Sequence, residues 1–181
     1  MHNTDNHRRE TMTGDPMIGI VGGVGPYAGL DLTKKIFDQT LASSDQEHLP
    51  VILVSRPGEI SDRTGYLLGR VDTNPAFAIA RIIRTLEQAG TTVVGIPCNT
   101  AHAPAIFDAV IAELARAGSA VRVLHMIDEV SVFLREAHPG IQRVGVLSTM
   151  GTYRTGVYAD ALVTEGFEAL LSDEDRQPGF E

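Results

Sequence analysis

"TTVVGIPCNTAH" (residues 91–102) joins a β-branched apolar run to a polar junction that holds the only cysteine of the chain, Cys98. A short run of Val and Ile reads as a buried strand, "TTVVGIP" (residues 91–97), with Cys98 directly beyond it. The segment that follows, "HAPAIFDAVIAELARAG" (residues 102–118), has helical spacing and ends in glycine. Strand, then helix, with one thiol at the joint, is the repeating grammar of a parallel α/β fold.

Reading outward from there, the same grammar recurs. "MIGIVGG" (residues 17–23) is a buried-strand run, and "AGLDLTKKIFDQTL" (residues 28–41) carries Leu30, Ile36, Phe37 and Leu41 near helical spacing. "LPVILVS" (residues 49–55) is a second strand. "NPAFAIARIIRTLEQAG" (residues 74–90) is a helix opened by Pro75 and closed by Gly90. After the strand at 91–97 and its helix come a fourth strand, "AVRVLHM", and a short helix, "IDEVSVFLREA". A second round starts at "QRVGVLSTMGT" (residues 142–152), with "YRTGVYADALVTEG" as its helix and "FEALLS" as a further strand. The expected architecture is a parallel sheet flanked by helices in two pseudo-equivalent units, residues 17–138 and 139–181. The second is incomplete, because one helix cannot cover both faces of a parallel sheet.

Composition sets the boundaries of function. The chain has 181 residues, 43% hydrophobic and 21% charged, with a net charge of −8. That is ordinary for a soluble domain and argues against nucleic acid or an anionic membrane as partner. A single cysteine excludes an internal disulfide, which fits a reducing, cytoplasmic setting. No apolar run approaches the length of a bilayer span. Residues 1–16, "MHNTDNHRRETMTGDP", are polar and read as a disordered extension, with Met12 or Met17 as alternative starts.

In parallel α/β folds ligands gather where strands deliver their carboxyl ends. Cys98 sits there, and Asn99 or Thr100 is the expected N-cap of the following helix. A helix N-terminus at this point favours thiolate over thiol and offers N–H groups to a carboxylate. The competing reading is that Cys98 is a small buried hydrophobe. "GGVGP" (residues 22–26) is a tight turn whose Gly23, Val24 and Gly25 can bring backbone close to a ligand; its spacing is not that of a dinucleotide or P-loop motif. "SDRTG" (residues 61–65) reads as a loop in which Arg63 can clamp a carboxylate and Thr64 can add a hydroxyl, unless Arg63 is merely a solvated surface group. His102 is a candidate base or a support for the first helical turn.

Taken together, "IGIVGGVGP", "SDRT", "PCNTAH" and "VGVLSTMGTYRTGVY" resemble the aspartate/glutamate racemase family, and more closely its aspartate-racemase-like branch, from Met17 to about Arg176. The resemblance implies two similar α/β domains with the site in the cleft between them, and neither pyridoxal phosphate nor metal as cofactor. It implies a small dicarboxylic amino acid as substrate and two cysteines, one on each face of the α-carbon. Cys98 matches the first cysteine; Asn99 and Thr100 match residues that hold the α-carboxylate. Arg63 matches the arginine assigned to the side-chain carboxylate. Thr149 and Thr152 match the second domain's cleft loop, and Arg176 a basic residue of its late segment.

The family's second cysteine lies in a Gly-Cys-Thr element for which this chain has no counterpart, so a truncated racemase with impaired turnover is expected. Two alternatives are a one-cysteine decarboxylase or isomerase of the same superfamily, and an inactive dicarboxylate-binding remnant. Pairing of exposed strand edges into a homodimer is a further expectation.

Overall fold

Short β-branched runs bounded by glycine and proline become parallel strands, and the apolar-periodic segments between them become helices. The computed structural model describes residues 16–172; residues 1–15 of the expected extension and Arg176 lie outside the described residues. In chain order the elements are β1 (Ile18–Gly22), α1 (Pro26–Gln39), β2 (Val51–Ser55), α2 (Arg63–Leu67), α3 (Ala76–Gln88) and β3 (Val93–Gly95). Then follow α4 (Pro104–Arg116), β4 (Arg122–Val123), α5 (Met126–Ala137), β5 (Arg143–Val146), α6 (Met150–Thr155), α7 (Val157–Thr164) and β6 (Glu168–Leu171). Helices thus flank parallel sheet, the expected α/β class.

The first sheet has four strands in the order β2-β1-β3-β4, all parallel, with Ile18 opposite both Val51 and Val93. From β1 the chain steps outward to β2, then crosses back over β1 to β3 and on to β4. Right-handed crossovers therefore set α1 on one face and α3 with α4 on the other. The step reverses between β1 and β3, and α/β sheets bind their ligands beyond the carboxyl ends at such a reversal.

The α3–α4 face holds the core. Ile79, Ile83 and Leu86 of α3 share one stripe with no exposed surface, facing Ile106 and Val110 of α4 and Val21 and Val94 of the sheet. Each such side chain contributes about 1.5–3 kcal/mol by burial. The opposite face is thinner: α1 buries only Gly29, and α5 only Ile127 and Ser131.

The second sheet is the parallel pair β5–β6, with Arg143 opposite Glu168 and their side chains ion-paired at 3.1 Å. Leu162 and Val157 of α7, with Phe167, form its buried patch. Arg135 of α5 reaches across to Glu165 and joins the two sheets' surroundings.

Three expectations are corrected. β3 is shorter than its apolar run suggests because the backbone turns at Ile96, whose carbonyl accepts the Cys98 N–H at 2.8 Å, and β4 is cut short where His125 caps α5. "SDRTG" is not an open loop: the Asp62 carboxylate accepts the N–H groups of Thr64 and Gly65 (3.2 and 3.0 Å) and starts α2 at Arg63. The expected single helix at 153–166 is two, split where Gly156 turns left-handed at φ 66°. Among the described residues no helix is long and apolar enough to cross a membrane.

Candidate active site

Two loops leave the carboxyl ends at that reversal, residues 22–26 after β1 and residues 96–102 after β3. In the first, Gly23 has φ 86°, and a Cβ there would lie 2.7 Å from the Pro57 nitrogen, so only glycine fits. Its neighbour Val24 offers a carbonyl that accepts from Arg63 Nη2 at 3.1 Å. Arg63 is thereby bound to the turn rather than waving in solvent, and its buried Nε has no hydrogen-bond partner.

Cys98 is half-buried and extended (φ −153°, ψ 113°), directly ahead of a 3₁₀ turn, Asn99–His102. The long helix does not begin here. Pro104 occupies its first turn and forces the preceding residue, Ala103, to ψ 136°. Neither Asn99 nor Thr100 caps α4, whose N-cap is Ala103 with no side-chain bond. The expected helix-end field on the sulfur is therefore replaced by that of a single short turn.

What holds the cysteine is hydrogen bonding to its carbonyl, which accepts the Ala101 N–H at 3.2 Å and the ring Nδ1–H of His102 at 2.8 Å. His102 is 1% exposed, stacked on Phe107 at a centroid distance of 5.2 Å and edge-on to His125. Burial lowers its pKa from 6.5 to about 4, so the ring is neutral at pH 7. Enclosed in this way, His102 acts as a support for the Cys98 turn and not as a base facing ligand.

A cavity of about 590 Å³ opens between α1 and α5 and reaches Cys98 and Asn99. Its walls are largely apolar, including Leu32, Ile96 and Phe133, with Asp31, Lys35 and Glu129 as the charged members. Arg63, Thr64, Gly23, Val24, Gly25, Thr149 and Thr152 are not among its lining residues. Arg63 and Val24 pair with each other beside β1, whereas Thr64, Thr149 and Thr152 gather where α6 packs on α2 and on the turn after β3. Thr100 Oγ1 and Thr152 Oγ1 are 3.1 Å apart in a buried pair, and Thr149 Oγ1 is 3.3 Å from Thr152 Oγ1. Gly151 lies so close to α2 that a Cβ would come within 2.8 Å of Thr64 Oγ1 and 3.3 Å of Thr64 Cα.

A family model for Asp/Glu/hydantoin racemases matches residues 21–181. The chain belongs to this family. Among its relatives, the broad specificity amino-acid racemase RacX of Bacillus subtilis (strain 168) is 27% identical over 89% of the chain and 66% of the relative. The Picrophilus torridus aspartate racemase structure is similar with a TM-score of 0.74 and 31% identity, over 88% of this chain and 64% of that one. A putative Asp/Glu racemase from Yersinia pestis shares the fold, with a TM-score of 0.70 at 23% identity, covering 90% of this chain and 66% of its own length. The chain thus spans about two thirds of the length of these relatives.

One contact in this racemase-family chain has no forerunner in the sequence reading. The phenol of Tyr158, in the first turn of α7, donates to Asn99 Oδ1 at 2.8 Å. "TGVY" gave no local sign of it, since the partners are 59 positions apart. Nor did α1 and α5 announce themselves as cavity walls; the alternation of their apolar and charged residues reads as an ordinary helix surface.

Proposed function

We propose that this chain is an amino-acid racemase of the aspartate/glutamate type, with Cys98 as the thiol that exchanges the α-proton on one face of the substrate. The observation that carries the proposal is the placement of Cys98. It stands at the reversal point of a parallel sheet, half-buried, with its sulfur-bearing residue lining a cavity together with Asn99.

The chemistry follows from that place. The α-proton of an amino acid is weakly acidic, so the site must stabilise negative charge that spreads into the α-carboxylate. Cys98 as thiolate takes the proton to become a thiol, the electron pair of the C–H bond stays on carbon and carboxylate, and return of a proton restores the C–H bond. Asn99 lines the cavity and supplies a donor to the α-carboxylate; Thr100, Arg63 and Thr64 lie outside it and take their carboxylate-binding roles from the family resemblance. Thr152, which meets Thr100, and Thr149 beside it are the second unit's share of the site, and Arg176 takes its part from the family resemblance alone. The apolar walls beside Cys98 and Asn99 lower the local polarity, which strengthens the contacts made there.

Incubation with L-aspartate or L-glutamate in deuterium oxide tests the proposal by mass spectrometry of the recovered amino acid. Deuterium at the α-carbon is expected, falling at least a hundredfold in Cys98→Ser. Undiminished exchange in that variant removes the thiol from the mechanism, and calorimetric binding without exchange assigns the chain to the non-catalytic, dicarboxylate-binding reading.

A further inference from the structure

We infer that Tyr158 is a positioning residue for ligand carboxylate, acting through Asn99: its hydroxyl occupies Asn99 Oδ1 and leaves the amide Nδ2 donors to face the cavity. The inference rests on the racemase reading for the identity of the ligand, an amino-acid carboxylate, but the contact itself is independent of that reading.

An exposed asparagine amide can turn over about its last torsion, and its two ends have opposite meaning for an anion. Nδ2 donates to a carboxylate, whereas Oδ1 repels it. Asn99 is exposed, opens the 3₁₀ turn after Cys98 and lines the cavity, so its orientation is not fixed by packing of its own. Tyr158 supplies what packing does not: a single hydroxyl donor 2.8 Å from Oδ1. Turned over, the amide would donate Nδ2–H to the phenol oxygen but set Oδ1 against the ligand carboxylate, so with an anion bound the orientation in which Tyr158 donates to Oδ1 is the one that satisfies both ends.

The donor is itself well held. Tyr158 is half-buried on α7, whose start is set by the left-handed Gly156. The adjoining segment is tied to the same turn by the buried Thr152–Thr100 pair at 3.1 Å. Burial raises the phenol's pKa above its usual 10, so the hydroxyl keeps its proton through neutral and mildly alkaline pH. The second unit thereby contributes to substrate orientation without touching substrate.

A double-mutant cycle on the full chain tests this, using Tyr158→Phe, Asn99→Ala and the pair. Each single change is expected to raise KM for aspartate about tenfold, the scale of one hydrogen bond to a charged group, with a smaller change in kcat for α-deuterium exchange. The pair is expected to be no worse than Asn99→Ala alone, because Tyr158 acts only through the amide. Phenylalanine keeps the ring, so the melting temperature is expected to move little; a merely structural tyrosine would lower it and leave KM alone. A Tyr158→Phe effect that multiplies that of Asn99→Ala overturns the inference while the racemase reading stands. If the wild type binds aspartate without exchange, the racemase reading falls and the same cycle, read in calorimetric Kd, still decides the inference. Absence of binding by any dicarboxylate overturns both.

Discussion

The ring Nδ1 of His102 donates to the carbonyl oxygen of Cys98 at 2.8 Å, so the backbone that carries the thiol is held by a buried, neutral imidazole. Loss of neutrality must therefore cost stability. In the folded state the ring titrates at about 4 and in the unfolded chain near 6.5. Between those values the unfolded chain binds more protons, and stability rises with pH. The full contribution is present above pH 6.5 and is lost as pH falls to about 4. Below that the folded ring is protonated too and nothing further is lost. A gap from 6.5 to about 4 corresponds to about 3 kcal/mol. Urea midpoints at pH 7, 5.5 and 4 measure it, and His102→Asn is expected to flatten this part of the profile.

Replacement of His102 separates its two duties. His102→Ala deletes the donor to Cys98 and opens a hole beside Phe107, and is expected to destabilise by roughly 2–4 kcal/mol. His102→Asn retains an N–H donor near the Nδ1 position and is expected to lose less. Chemical denaturation of both variants at pH 7 gives the comparison; equal losses would show that the hydrogen bond contributes nothing beyond filled volume.

Close approach of the two units hangs on Gly151. A methyl group there meets Thr64 Oγ1 at 2.8 Å and Thr64 Cα at 3.3 Å, so Gly151→Ala must push α6 away from α2. The expected cost is about 1–3 kcal/mol, partly recovered by Thr64→Ala in the same chain. Thermal melts of the single and double variants read the coupling.

The cap of α2 is a separate lever on Arg63. Asp62→Ala removes the acceptor for Thr64 N–H and Gly65 N–H and is expected to cost about 1 kcal/mol. Because α2 is the element that aims Arg63 at the Val24 carbonyl, dicarboxylate affinity is expected to fall as well, by calorimetry. A change in stability without a change in affinity would place Arg63 outside the site.

Much of this was written in local pattern. The Val-Val-Gly of β3, the Ile79/Ile83/Leu86 stripe of α3 and the Ile106/Val110 stripe of α4 follow from side-chain period alone, and with the alternation of strand and helix they dictate a parallel α/β sheet. So did the presence of Cys98 at a strand's carboxyl end. Local pattern misled at the helix start after it: Asn99 and Thr100 have cap chemistry, but Pro104 forbids helix at the residue before itself and moved the boundary to Ala103.

What only the tertiary structure decided was company. Nothing local couples Tyr158 to Asn99, Thr152 to Thr100, Gly151 to Thr64 or Arg63 to the Val24 carbonyl. Each pair is brought together by the crossovers and by the packing of one unit on another. Sequence determined which elements form, because turn and strand preferences act over a few residues. Which side chains meet at the site was settled by how those elements stack, since a hydrogen bond is made only within about 3 Å and carries no trace along the chain.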